Sequence, residues 1–272
     1  MRRVVAGCFF ALLLAGRLPA QSFTTSACNG DEGSTNNHSW FSGHQERVCE
    51  LRRATLPLTN GQLDVSGSNG GIEVIGEERQ DIDLEARVIT QGSSREEAES
   101  IAREVKIVTT GSIHAEGPQM TGFSHRSWSV NYRLRVPRQL NARLHTENGG
   151  IGLTNVAGVI RADTTNGGLS LDNLAGDVQA VTVNGGLDVK LDGSQWRGAG
   201  LDAKSTNGGV SVTAPDHYSA HLVAETVNGG LSVDFPITVQ GKINQHIDTQ
   251  IGGGGPTIHF QTINGGVSIG RD

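Results

Sequence analysis

The triplet Asn-Gly-Gly occurs seven times in this chain, beginning at Asn69, Asn148, Asn166, Asn184, Asn207, Asn228 and Asn264. From Asn148 to Asn228 the copies stand 18, 18, 23 and 21 residues apart. Their flanks share one phase. Two residues before the later asparagines stand Thr146, Thr164, Thr182, Ser205, Thr226 and Thr262, and four before stand Leu144, Ala162, Ala180, Ala203, Ala224 and Phe260. Three and five residues after them come pairs such as Leu169/Leu171, Leu187/Val189 and Val210/Val212. The first copy fits with Leu63, Val65, Ile72 and Val74. Alternation with a period of two on both sides of a turn predicts two short, half-buried strands per unit. Asn-Gly supplies the positive φ a tight corner needs. Gly158 and Gly176, ten residues after their asparagines, mark a second corner.

Asn-Gly between alternating runs is also a strong hairpin signal. An array of hairpins, however, leaves an apolar face that needs a cover, and beyond residue 141 no helical pattern supplies one. A coil of stacked rungs covers itself, because inward side chains meet the opposite wall. The expected fold is therefore all-β, a parallel β-helix-like β-solenoid with Asn-Gly-Gly corners over 142–272. Composition agrees: with 7 Phe, 3 Trp and 2 Tyr in 272 residues, small and aliphatic side chains must fill the interior.

Upstream, Ile82 to Val88 and Trp128 to Val136 alternate as strands, the second stopped by Pro137. Between them Ser93-x-x-Glu96 resembles a capping box ahead of Ala98, Ile101, Ala102 and Val105, which predicts one inserted helix at about 94–105. The expected organisation is a signal peptide over 1–20, a disulfide-bearing segment over 21–55, a β-rich region with the helix over 56–141, and the repeat region.

The signal peptide rests on Arg2 and Arg3, the uncharged stretch Val4–Gly16, and Leu18-Pro19-Ala20 before Gln21. Its removal leaves 19 Lys and Arg against 28 Asp and Glu, a net charge of −9 with no basic block, which argues against nucleic acid. No later segment is long enough to span a membrane. Cys28 and Cys49 then remain, an even count that reads as one disulfide in an exported protein. A metal site with His38 and His44 has no zinc-finger spacing.

The T-x-N-G-G-hydrophobic-x-hydrophobic units resemble the bacterial putative-adhesin family of secreted β-strand-repeat proteins. The strand from Ser127 to Pro137, the stretch Trp196–Leu201 and the run Gly252-Gly253-Gly254-Gly255-Pro256 match as well, so the resemblance spans about Cys49 to Ile269. It implies a surface or periplasmic β-solenoid with an adhesive role, and no catalytic residues to carry over.

No catalytic, cofactor-binding or metal site is assigned. Gly266-Val267-Ser268-Ile269-Gly270 fits a nucleophile-elbow pattern but sits inside the last repeat without the strand-turn-helix context or downstream partners. His217 and His221 would share a face only on a helix, which Pro215 opposes. Gly252–Gly255 lack the Lys-Ser/Thr of a phosphate loop and read as a mobile loop. Lys204 and Glu225, on consecutive units, are expected to form a surface ion pair.

The two longer spacings hold the candidate ligand site. Their extra residues carry Trp196, Arg197 and Tyr218 at a corner. The rings either project to stack on a sugar or a protein partner, or fold inward and plug the widened corner. The expected function is an exported, non-catalytic binding or adhesion module facing a cell-envelope protein or glycan. The alternatives are a structural envelope scaffold and, behind it, a carbohydrate-active β-helix enzyme.

Overall fold

The computed structural model describes residues 22–28, 45–120, 126–235 and 245–272. The expected signal peptide and the histidines at 38 and 44 lie outside them.

The chain opens with β1 (Thr24–Ala27), β2 (Glu46–Pro57), β3 (Gln62–Asn69), β4 (Ile72–Glu77) and β5 (Asp81–Gly92). Helix α1 (Arg95–Glu104) follows, then β6 (Lys106–Val108), β7 (His114–Glu116) and β8 (Ser127–Pro137). The repeats supply strand pairs: β9 (Asn141–Asn148) with β10 (Ile151–Thr154), and β11 (Ala157–Asn166) with β12 (Leu169–Asp172). Next come β13 (Ala175–Asn184) with β14 (Leu187–Lys190), and β15 (Gly200–Asn207) with β16 (Val210–Ala214). The chain closes with β17 (Ala220–Asn228), β18 (Leu231–Val233), β19 (His246–Ile251), β20 (Thr257–Asn264) and β21 (Val267–Arg271).

The all-β expectation holds, and the two strands of a repeat do not pair with each other. One joins an 8-stranded sheet, the other an 11-stranded sheet, and each pairs in parallel with its counterparts in neighbouring repeats. Alternate side chains from both sheets fill a narrow core: Ile160, Ala162, Leu169 and Leu171 of one repeat are each no more than 2% exposed. β3 and β4 stack on β9 and β10, so the coil starts near residue 62 rather than 142.

The stacking order departs from chain order. The last repeat, β20 and β21, lies between β15–β16 and β17–β18. β19 first turns back antiparallel along the outer edge of β17. The glycine run then reverses the chain, with φ of 56°, 75° and 150° at Gly252, Gly254 and Gly255. That run is a bonded turn rather than the expected loose loop: Gly253 N–H donates to Ser219 Oγ at 2.9 Å and Gly254 N–H to the Ile251 carbonyl at 3.0 Å. The inserted strand also separates Lys204 from Glu225. Gln261 lies between them, and Lys204 pairs with Asp202 at 2.9 Å instead.

At the other end β2, β5 and β8 form an antiparallel extension, and β8 carries the stack on as the parallel neighbour of β4. α1 packs there through Ala98, Ile101 and Ala102. Its N-cap is Ser94, one residue later than predicted, with Glu97 rather than Glu96 reaching back, to Ser93 N–H at 2.8 Å. Arg52 closes the other end, donating to the carbonyls of Ala102 and Val105 at 2.6 and 2.5 Å where the helix dipole is negative. Cys28 and Cys49 are disulfide-bonded and tie β1 to β2.

Candidate binding face

The corner column follows from three side-chain rules. Asparagine side chains form a ladder up the stack. Asn148 Nδ2 donates to Asn69 Oδ1 at 3.1 Å, and Asn166, Asn184 and Asn207 each donate to the preceding asparagine at 2.9 Å. Asn264 donates to Asn207 at 2.8 Å and Asn228 to Asn264 at 2.9 Å, so the ladder follows stacking order. The buried hydroxyls two residues upstream satisfy corner carbonyls one repeat away: Thr164 donates to Gly149, Thr182 to Gly167 and Thr262 to Gly208, at 2.8, 2.8 and 2.7 Å. A buried carbonyl left without such a donor costs about 1–3 kcal/mol.

The first glycine of the triplet is fixed by close approach. A Cβ on Gly167 would stand 2.0 Å from the Gly149 carbonyl oxygen, and one on Gly185 2.1 Å from that of Gly167. Neither residue has the positive φ the sequence suggested. At two other corners Gly70 and Gly208 do have positive φ, 122° and 159°, and left-handed backbone also occurs at Asn155 and Asn173, with φ of 60° and 49°. These two form the second corner, and Asn173 Nδ2 donates to Asn155 Oδ1 at 2.7 Å. The second corner expected at Gly158 and Gly176 thus falls three residues earlier, and those glycines stand at the start of β11 and β13 with φ of 150° and 105°; the asparagines 18 residues apart were the finer signal.

The second glycine differs. A Cβ on Gly186 or Gly209 would meet only a carbonyl at 3.5 or 3.4 Å, and one on Gly230 would meet nothing. These glycines floor an open trough of about 640 Å³ on the 11-stranded sheet, walled by Asp188, Ser211, Ser268 and Ser232. Gly152 and Ser170 extend the same outward column. On the other side of the asparagine ladder Val183, Ile263 and Val227 are exposed. Those three side chains belong to the opposite, 8-stranded sheet, whose outer face also carries the Arg161–Asp177 ion pair at 2.9 Å and contacts of His259 with Asp202 at 2.8 Å and of His145 with Asp163 at 3.2 Å. The Arg161 hydrogen bond holds the Asp177 carboxyl below the usual carboxylate range.

The expected ligand site at Trp196, Arg197 and Tyr218 does not form an exposed platform. Trp196 is 3% exposed and Tyr218 1%, so neither ring is open to a sugar or a partner. The two insertions bridge at Gln195 and Ser219, and Trp196 Nε1 donates to the Gly176 carbonyl at 3.0 Å. The rings plug the widened corner. Burial pushes the Tyr218 hydroxyl up to about 12. Arg197 stays outside and donates to Asn173 Oδ1 at 3.1 Å. Among the described residues no group of three or more His, Cys, Asp or Glu could hold a metal ion, and no helix is long and apolar enough to cross a membrane.

Residues 53–270 match the Toastrack DUF4097 domain family. Similar solved structures include a putative cell adhesion protein from Clostridium sporogenes, 11% identical, with a TM-score of 0.41 over 84% of this chain and 100% of that one. Another is a putative adhesin from Bacteroides fragilis, 12% identical, with a TM-score of 0.40 over 82% and 97%. A putative lipid binding protein from Parabacteroides distasonis is 10% identical, with a TM-score of 0.28 over 82% and 96%. No curated protein matches the chain.

Proposed function

The chain belongs to the Toastrack DUF4097 family, and from that premise we propose that it is an exported, non-catalytic binding module. Its Asn-Gly-Gly units serve as solenoid rungs that present the small-residue trough to a cell-envelope protein or glycan. The carrying observation is the asymmetry between the two sheets. Over the repeats the 8-stranded sheet presents the Arg161–Asp177 ion pair and His–Asp contacts, with Val183, Ile263 and Val227 exposed at its corner edge. The 11-stranded sheet presents a glycine floor walled by Asp188 and serines, its own ion pairs such as Arg133–Glu73 and Arg53–Glu85 lying away from the trough on β2, β4, β5 and β8. Bare backbone and small hydroxyls let a flat partner approach the sheet closely, and the apolar edge adds area that gains from leaving water. Export is supported by the basic and apolar N-terminal stretch and by the Cys28–Cys49 bridge, which persists in oxidising compartments.

A scaffold role is the second reading. All four residues of β1 are exposed at one edge of the 11-stranded sheet, and β18 ends the other. Among the described residues no strand pairs with the outer side of either, and edges left so pair with other chains. Fractionation of the native cell followed by in situ crosslinking distinguishes the two. Adducts at the trough, competed by soluble envelope glycan or by a single envelope protein, support the binding module. Adducts confined to β1 and β18 between copies of this chain support the scaffold.

A further inference from the structure

Asn-Gly is the dipeptide most open to spontaneous deamidation, because glycine leaves its amide nitrogen unobstructed beside the asparagine side chain. That nitrogen attacks Cγ of the asparagine, a C–N bond forms, the Cγ–Nδ2 bond breaks, and ammonia leaves. Water then opens the cyclic imide to aspartate or isoaspartate. The seven corners share this chemistry, yet the stack does not treat them alike.

At six corners the attacking nitrogen is committed. The N–H groups of Gly70, Gly149 and Gly167 donate to the asparagine carbonyl of the next rung at 2.8, 2.9 and 2.9 Å. Those of Gly185, Gly208 and Gly265 do so at 3.0, 3.0 and 3.1 Å. Each nitrogen is thereby held in its peptide plane, away from its own Cγ, and is released only by local opening of the stack. Asn228 occupies the last Asn-Gly-Gly corner in stacking order, with Asn264 on one side and, among the described residues, no further asparagine on the other. No carbonyl of the described residues accepts from Gly229 N–H. Gly229 is exposed, whereas the first glycine of each other corner is half-buried. The side chain of Asn228 is anchored through Nδ2 alone, to Asn264, and its Oδ1 accepts no bond among the described residues.

We propose that Asn228 is a deamidation site, set apart from six chemically identical corners by its place at the end of the stack. Its conversion exchanges one amide donor for a negative charge beside exposed Val227 and leaves the ladder from Asn69 to Asn264 intact. The intercalation of the last repeat is what assigns this role. Were the repeats stacked in chain order, Asn264 would be terminal and Asn228 protected.

The test is incubation of the folded protein in mildly alkaline buffer until a parallel denatured sample is half converted. Deamidation is then mapped corner by corner by fragment-ion mass spectrometry. Conversion at Asn228 is expected to be at least ~10-fold faster than at Asn166, Asn184, Asn207 or Asn264, a ratio equivalent to about 1.4 kcal/mol. Asn228→Gln is expected to remove the fast phase and leave the other corners unchanged. Equal or slower conversion at Asn228, faster conversion at Asn264, or a fast phase that survives Asn228→Gln overturns the proposal.

Discussion

The hydroxyl of Thr182 donates to the carbonyl of Gly167 at 2.8 Å, across one rung of the stack. A Cβ on Gly185 would approach that same carbonyl oxygen to 2.1 Å. One part-buried acceptor thus dictates both a threonine and a glycine in the following repeat. Thr182→Val keeps the shape and removes the donor, so it is expected to cost about 1–3 kcal/mol. Gly185→Ala forces the rungs apart and is expected to cost a similar 1–3 kcal/mol or more. Gly230→Ala, where a methyl meets nothing, should stay within about 0.5 kcal/mol of wild type. Denaturant midpoints at constant slope rank the three variants, and equal costs for Gly185→Ala and Gly230→Ala would contradict the assignment.

Trp196 and Tyr218 are expected to behave as core residues. Trp196→Ala should cost about 3–5 kcal/mol, as truncation of a buried aromatic does. Tyr218 adds a pH signature. Its folded-state value is raised to about 12 by burial, from about 10 in the unfolded chain. The unfolded state therefore loses its proton first, and the associated stability is intact below about pH 10 and declines as pH rises toward 12. Tyr218→Phe should reduce that slope without abolishing it, because burial raises the Tyr132 hydroxyl as well. An unchanged alkaline slope, or a Trp196→Ala variant as stable as wild type, would show the rings to be solvated.

The stacking order is open to crosslinking. Val227 and Ile263 sit between the paired residues Thr226↔Thr262 and Asn228↔Asn264, on adjacent strands. Neighbouring strands lie about 4.8 Å apart, within disulfide reach, and strands one further away do not. The pair Val227→Cys and Ile263→Cys should oxidise readily to an intramolecular bridge. The pair Val227→Cys and Thr206→Cys, adjacent only if repeats stacked in chain order, should not. Reduced and oxidised peptide maps report the outcome, and the reverse pattern would place the last repeat at the end of the coil.

What the sequence made legible was the phase of the repeat. Thr164 and Thr182 point inward, Leu169 and Leu171 are buried, and the asparagines stay at the surface. These follow from period-two alternation, which depends only on local backbone geometry. The stacking order was not legible, because near-identical units are interchangeable as neighbours: each offers the same asparagine, glycine carbonyl and hydroxyl. The reversal needed the antiparallel β19, a contact between distant segments. The helix cap slipped by one residue because Ser93-Ser94 and Glu96-Glu97 spell two overlapping capping boxes. The insertions at Trp196 and Tyr218 were legible as extra length, but length does not say whether a ring turns inward.

The binding account turns on the trough, and the direct measurement is association of purified protein with native envelope before and after the trough is filled. Ser211→Arg combined with Ser268→Arg places two long cations on its wall without touching the core. With circular dichroism and melting temperature near wild type, envelope binding is predicted to fall at least ~10-fold, the loss of about 1.4 kcal/mol or more of contact energy. A double arginine change on the opposite sheet, at Gln179 and Thr257, should leave binding intact. Undiminished binding by the Ser211/Ser268 variant, with loss on the opposite sheet, would contradict the account.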